Sequence, residues 1–328
     1  MELNLKTREE LLKNLPDDDK AKIDQMLNTT IWEPTAGRQY EAYASQADIL
    51  FYGGAAGGGK SDLLLGLALT QHTKSIIFRR EATQLQGLLD RMTQIMGNRD
   101  GFNGTSLIWR LSTGQLEFGS CKNIGDEQKF QGRDHDGVFF DEITHFQESQ
   151  FRYLQTWLRT TRKDTRCRVV CTGNPPTCSD GEWVRKFWSP WLDDQSRNKA
   201  KPGELRWYTT INGEDIECEN GDAFLHEGQM LKPKSRTFIP SRVGDNPFLA
   251  DGYTATLQAL PEPLRSQMLY GDFSIGSDAD PWQVIPTEWV VAAQERWVEE
   301  FPDKLDAMGV DPARGGVDET VIARRYGR

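Results

Sequence analysis

No stretch of this sequence approaches the roughly 18 consecutive apolar residues that a membrane-spanning helix requires. The mean hydropathy is −0.62, so no membrane partner is expected. The opening segment, MELNLKTREELLKNLPDDDK, has no basic region leading into an apolar one; it does not read as a secretory signal, and the protein is expected not to be secreted. Histidine is scarce, with four in 328 residues, and the five cysteines (Cys121, Cys167, Cys171, Cys178, Cys218) contain no CxxC pair. That pattern lacks the ligand spacing of a zinc site. An odd, scattered set of thiols suits a reducing compartment, and Cys171 and its neighbours read as small core residues. Positive charge is also in short supply: 39 Lys and Arg against 49 Asp and Glu give a net charge of −10. A protein that coats DNA with its whole surface is thereby disfavoured, whereas a local basic channel is not. Internal repeats and low-complexity tracts are missing.

What is present is an alternation of strand and helix signals. The length leaves room for one large α/β domain and a smaller appendage. Residues 1–30 read as a helical arm: Thr7 and Glu10 have capping-box spacing, Leu11, Leu12 and Leu15 follow on one face, and Pro16 interrupts. Residues 31–245 form the main domain, with apolar strands expected at 49–52, 75–78, 137–140 and 168–172. A buried helix is expected at 63–70 and a hairpin at 107–118. The alternation predicts a mostly parallel sheet with helices on both faces. After residue 178 the pattern loosens. Residues 246–273 read as a small helical subdomain, 274–285 as a linker, and 307–310 as a final strand.

The densest chemistry lies in GGAAGGGKS, where Gly54 is followed by four residues and then Gly59, Lys60 and Ser61. This is the phosphate-binding loop pattern, placed between a strand and a helix where it must be to work. Glycines let several backbone N–H groups face one anion, and the helix contributes the positive end of its dipole. Gly54, Ala55, Ala56, Gly57, Gly58, Gly59, Lys60, Ser61 and Asp62 are the candidate ATP contacts. Lys60 would reach the β- and γ-phosphates, and Ser61 would hold Mg²⁺.

Residues 137–142, GVFFDE, run from four uncharged residues into two carboxylates. Asp141 is the candidate for the Mg²⁺ shell, and Glu142 the candidate to orient and deprotonate the attacking water. A third apolar segment ends in Gly173-Asn174-Pro175-Pro176, and Asn174 is placed to sense the γ-phosphate. The alternative for that turn is a plain β-turn.

In their order along the chain, GGAAGGGKS, FQGRDHDGVFFDE and VVCTGNPP resemble the large terminase subunit of tailed bacteriophages, the motor that packages DNA into capsids. The resemblance covers about residues 31–325. WEPTAGRQYEAY at 32–43 is similar to the family's adenine-contacting segment, with Gln39 the candidate. The resemblance implies a RecA/ASCE-like P-loop NTPase with a small lid over residues 246–285 and a coupling motif at Thr172, Gly173 and Asn174. It also implies an arginine finger, often supplied by a neighbouring subunit. Arg133 is the first candidate for it, with Arg79, Arg80 and Lys129 behind.

Double-stranded DNA, a homo-oligomeric ring, a small terminase subunit and a portal or procapsid are the implied partners, in the cytoplasm of the phage's host. GVDPARGG at 309–316 resembles the opening strand of an RNase H-like nuclease, assigned here to residues 286–328, in which Asp311 would bind a metal and Asp318 lies nearby. Two-metal cleavage needs carboxylates from several strands. The remaining strands do not fit before Arg328, so the expectation is a truncated nuclease that cuts no DNA.

Two basic runs, Arg159-Arg162-Lys163-Arg166-Arg168 and Lys232-Lys234-Arg236-Arg242, could contact DNA phosphates or be solvated ends. Trp183, Trp188 and Trp191 read as packing residues rather than base-stacking ones. The competing functions are a helicase or related remodeller, and a nucleotide-switched binding module that barely hydrolyses ATP.

Overall fold

A computed structural model describes residues 31–249, 252–274, 293, 304–313 and 320–326. The helical arm expected over 1–30 and nearly all of the linker expected over 274–285 lie outside those residues. Compact packing divides the chain into residues 1–278 and 279–328.

In the first unit, one ten-stranded sheet organises everything. Its strands are β1 (Ile49–Gly54), β2 (Lys74–Arg79), β3 (Phe102–Asn103), β4 (Ile108–Leu111), β5 (Gly114–Ser120), β6 (Gly137–Phe140), β7 (Arg168–Gly173), β8 (Arg206–Ile211) and β9 (Glu214–Cys218). A separate two-stranded ribbon, β10 (Phe224–His226) with β11 (Gln229–Leu231), precedes the last strand of the large sheet, β12 (Lys234–Ser241). The order across the sheet is β3-β4-β5-β2-β6-β7-β1-β12-β8-β9. The six central strands from β5 to β12 run parallel, and antiparallel hairpins flank them on both sides.

The central strands are largely buried, and residues of β1, β2, β6, β7 and β12 alternate between two cores. Leu50 and Tyr52 of β1, Ile77 of β2 and Val170 of β7 join the first core. The helices α1 (Arg38–Ala44), α2 (Lys60–Thr70) and α3 (Leu85–Met96) supply its other wall. Ile49 and Phe51, Ile76 and Phe78, and Val169 and Cys171 face the second core. Phe151 of α4 (Glu148–Leu154), Phe187 of α5 (Glu182–Phe187) and Leu192 of α6 (Ser189–Leu192) close it. The helix α2 is apolar nearly all round because it is covered nearly all round: Leu63, Leu64, Leu65 and Leu67 have no solvent exposure. Trp188 is fully buried, and Trp183 and Trp191 pack against the second core.

The region after residue 178 is more ordered than its sequence texture predicts. Three of its strands enlarge the main sheet, and β12 is the parallel neighbour of β1 itself. Pro240 and the charged ends of the segment hide that strand, because a parallel partner 187 residues away leaves no local periodicity to read. Beyond Asn246 come the short helix α7 (Gly252–Gln258) and a π-helical turn, Ser266–Tyr270.

In the second unit, β13 (Leu305–Asp311) pairs antiparallel with β14 (Val321–Tyr326).

Candidate active site at the carboxyl ends of β1, β6 and β7

Parallel register brings the site together. Phe140 stands opposite Phe78 and Cys171, and Gly173 opposite Gly53. The residues that follow these positions (Gly54, Arg79, Asp141 and Asn174) therefore emerge at one edge of the sheet. Consecutive elements β1, α2 and β2 leap over β6 and β7, which opens a crevice at the carboxyl edge where α/β sheets bind ligands.

The loop from β1 to α2 is held from several sides. Tyr52 Oη donates to the Gly58 carbonyl at 2.8 Å, and burial raises that phenol's pKa to about 12. Ala55 N–H donates to the Ser241 carbonyl at 2.9 Å, and Ala56 N–H to the Met268 carbonyl at 2.7 Å. Gly59 adopts a left-handed conformation, φ 74°, and a Cβ there would lie 2.6 Å from Gln39 Nε2. Glycine meets both demands at once.

Lys60 opens α2 and is buried. Its ammonium donates to the Ala55 carbonyl at 2.6 Å and to Asn174 Oδ1 at 2.8 Å. Burial lowers its pKa, and the charges of Glu142 and Asp141 oppose that shift. One residue on, Ser61 Oγ donates to Asp141 Oδ1 at 3.1 Å, and Thr172 Oγ1 donates to the same oxygen at 2.7 Å. The other carboxylate oxygen accepts from Arg79, and Asp141 has no solvent exposure.

Glu142 occupies the left-handed region, φ 58° and ψ 60°. A non-glycine residue there stores strain, and such strain clusters at working sites. Its carboxylate accepts from the Asn174 N–H at 3.3 Å. Asn174 thus spans two groups, its side chain on Lys60 and its backbone on Glu142. Asp62 faces differently: it accepts from Trp32 Nε1 at 2.8 Å and pairs with Arg91 of α3.

Lys60, Ser61, Asp141, Glu142 and Asn174 are therefore brought together, and four of them, with Gln39, Gly57, Gly59 and Asp62, line a cavity of about 760 Å³. Gln39 is buried. Its oxygen accepts from Thr35 N–H and Oγ1, and its nitrogen donates to the Gly59 carbonyl; it braces the loop.

The arginine candidates separate. Arg79 sits on Asp141. Arg80 donates to the His145 carbonyl, and Lys129 pairs with Asp126. Arg133 precedes β6, at the end of that strand opposite to Asp141, where it pairs with Glu117. It lies by a different cavity, with Lys74, Asp134 and His135, so it cannot serve the phosphate loop of its own chain.

Of the basic runs, Arg168 and Arg236 are buried and are not available to a phosphate backbone. Arg236 pairs with Asp215 at 2.7 Å and lies over the rings of Phe187 and Tyr208. Arg166 spends its guanidinium on the Ser45 and Ala47 carbonyls. Arg159, Arg162, Lys163, Lys232, Lys234 and Arg242 are exposed. Asp311 ends β13 and is solvent-exposed, and Asp318 lies outside the described residues. Among the described residues no group of three or more His, Cys, Asp or Glu converges as a metal cage.

Sequence reasoning missed Ser241, Met268, Asn246 and the Arg79–Asp141 pair. Only the Arg79 pairing left a local trace, an arginine directly after an apolar strand.

A phosphate-loop strand separated from its acidic strand by one further parallel strand, here β7, with the loop wrapped at a helix start, defines a RecA-like P-loop NTPase fold. The family profile described as "Terminase large subunit, T4likevirus-type, N-terminal" matches residues 52–290. The chain belongs to that family.

No curated protein matches it. Among solved structures, the large terminase of a thermophilic bacteriophage is 13% identical, with a TM-score of 0.48, over 73% of this chain and 53% of that one. The same terminase in complex with ATP-gamma-S is 14% identical, with a TM-score of 0.46 and the same coverage. The large terminase ATPase domain of Thermus phage P74-26 is 13% identical, with a TM-score of 0.46, over 77% of this chain and 97% of that domain. The chain spans about half the length of the first of these terminases.

Proposed function

We propose that this chain is the ATP-hydrolysing part of a motor that moves double-stranded DNA into a viral procapsid. The observation that carries the reading is the convergence of Ser61, Thr172 and Arg79 on the buried carboxylate of Asp141, directly beside Lys60 and Glu142. Lys60 binds the β- and γ-phosphates, giving up its present acceptors for phosphate oxygens. Amides from Gly57 to Ser61 and the amino end of α2 receive the remaining charge.

Ser61 Oγ and Asp141 Oδ1, 3.1 Å apart, are hard oxygens of the kind magnesium prefers, so the residues fit that ion. Ser61 and Asp141 would hold the ion, which would supply charge neutralisation on the transferring phosphoryl group. Glu142 takes the proton of the attacking water. Asn174, bonded to both Lys60 and Glu142, shifts when the γ-phosphate leaves and passes the change along the β7 end.

DNA is the partner on the exposed basic residues Arg159, Arg162 and Lys163, and a ring of copies, with Arg133 reaching a neighbour's site, completes catalysis. A small terminase subunit and a portal are the remaining partners, in the host cytoplasm. The test is ATP turnover with and without double-stranded DNA. Stimulation by DNA that disappears in Glu142→Gln supports the motor; turnover indifferent to both DNA and Glu142 removes it.

A further inference from the structure

Phe248 has the highest solvent exposure among the described large apolar residues, 85%, yet it lies on the wall of the same cavity as the phosphate loop. A single exposed apolar ring is ordinary on a protein surface; what sets this one apart is its place on the wall of the phosphate-loop cavity. The chain around it is fixed to the loop rather than loose. Asn246 Nδ2 donates to the Gly57 carbonyl at 2.7 Å, and Asn246 Oδ1 accepts from the Phe248 N–H at 3.1 Å. Leu249 and Tyr253 close on Gly57 so tightly that a Cβ there would lie 2.6 Å from Leu249 Cδ1 and 2.7 Å from Tyr253 Cε1. Thr35 and Gln39 also line the cavity, with Gln39's oxygen already taken by Thr35. The slot beside the loop therefore offers an aromatic face more readily than a free hydrogen-bonding edge.

We propose that Phe248 stacks on the nucleobase of the bound triphosphate, and that Asn246 positions the ring by tying its segment to the loop. The inference rests on the nucleotide reading above. Every base has a π-face, so stacking adds affinity with little preference among bases, and its loss weakens binding about tenfold.

The experiment measures the dissociation constants of ATP, GTP and inorganic tripolyphosphate, with magnesium, by titration calorimetry. Phe248→Ala is expected to weaken ATP and GTP alike by about tenfold while leaving tripolyphosphate unchanged. Phe248→Trp is expected to keep ATP affinity and to show fluorescence quenching by ATP but not by tripolyphosphate. Phe248→Ala with wild-type affinity for ATP, or with tripolyphosphate weakened equally, overturns the stacking role. A wild-type chain that binds neither ATP nor tripolyphosphate overturns the nucleotide reading itself, and this inference with it.

Discussion

Arg79 Nη2 lies 2.7 Å from Asp141 Oδ2, so a carboxylate with no solvent exposure is balanced by a guanidinium from the adjacent strand end. The pair exists because Phe78 and Phe140 stand opposite each other in parallel register, which delivers the next residue of each strand to one point. On the proposed reading, a magnesium ion held by Ser61 would compete with Arg79 for the charge of the same carboxylate, which would couple the metal site to the end of β2.

Arg79→Ala is expected to destabilise the nucleotide-free protein by about 3 kcal/mol, because it leaves a buried charge without its cation. Ser61 and Thr172 still donate to Asp141, which keeps the loss at the lower end for broken buried pairs. Added magnesium should restore part of it by binding only the folded state. Urea unfolding midpoints measure both effects; a midpoint equal to wild type would sink the argument.

Lys60→Met should lose at least about a hundredfold in turnover, since a phosphate-clamping charge acts where transition-state charge develops. Its stability should move the other way. Burial lowers the Lys60 pKa below the ordinary value of 10.5, so the folded chain holds that proton less tightly than the unfolded one. The charge therefore costs stability below its folded pKa, and the cost is relieved as pH rises from there towards 10.5. Without nucleotide, Lys60→Met should be at least as stable as wild type at neutral pH, with an advantage that narrows in alkali. Thermal melts across that range decide it, and an advantage that widens with pH would contradict it.

Glu142→Gln should keep nucleotide affinity within about twofold and reduce turnover by about 10²–10⁴-fold, the range for a lost general base. The glutamine oxygen can still accept from Asn174 N–H, so the strained backbone need not relax. Equal losses in binding and turnover would assign Glu142 to the structure instead.

Arg133 stands at the far end of β6 from Asp141, so the finger role proposed for it requires a neighbouring chain. Arg133→Ala should bind ATP yet fail to hydrolyse it, and mixing it with Glu142→Ala chains should recover part of the activity. Mixtures as inactive as either variant alone would remove Arg133 from catalysis.

Asp215 accepts from Arg152 and Arg236, and these partners overcome its burial to hold its pKa at about 2, below the ordinary 3.8. A depressed carboxylate stabilises the fold above the unfolded pKa, and the benefit is lost as pH falls from about 4 through about 2. Asp215→Asn should cost about 2 kcal/mol near neutrality and flatten acid unfolding across that window. An acid transition identical to wild type would refute this assignment.

The sequence alone determined the phosphate loop, the acidic strand end and the Asn174 turn, because each is a local pattern: an apolar run that stops where polar chemistry begins. Strand and helix alternation likewise made the parallel core legible. Only the tertiary structure decided that β12 flanks β1, that Arg236 and Arg168 are buried among core elements while Arg159 is exposed, and that Arg79 and Asp141 form a pair. The physical reason is range. A motif's residues are fixed by neighbours a few positions away, whereas parallel register and burial are set by partners far along the chain, and their energies leave no periodic trace in the segment that bears them.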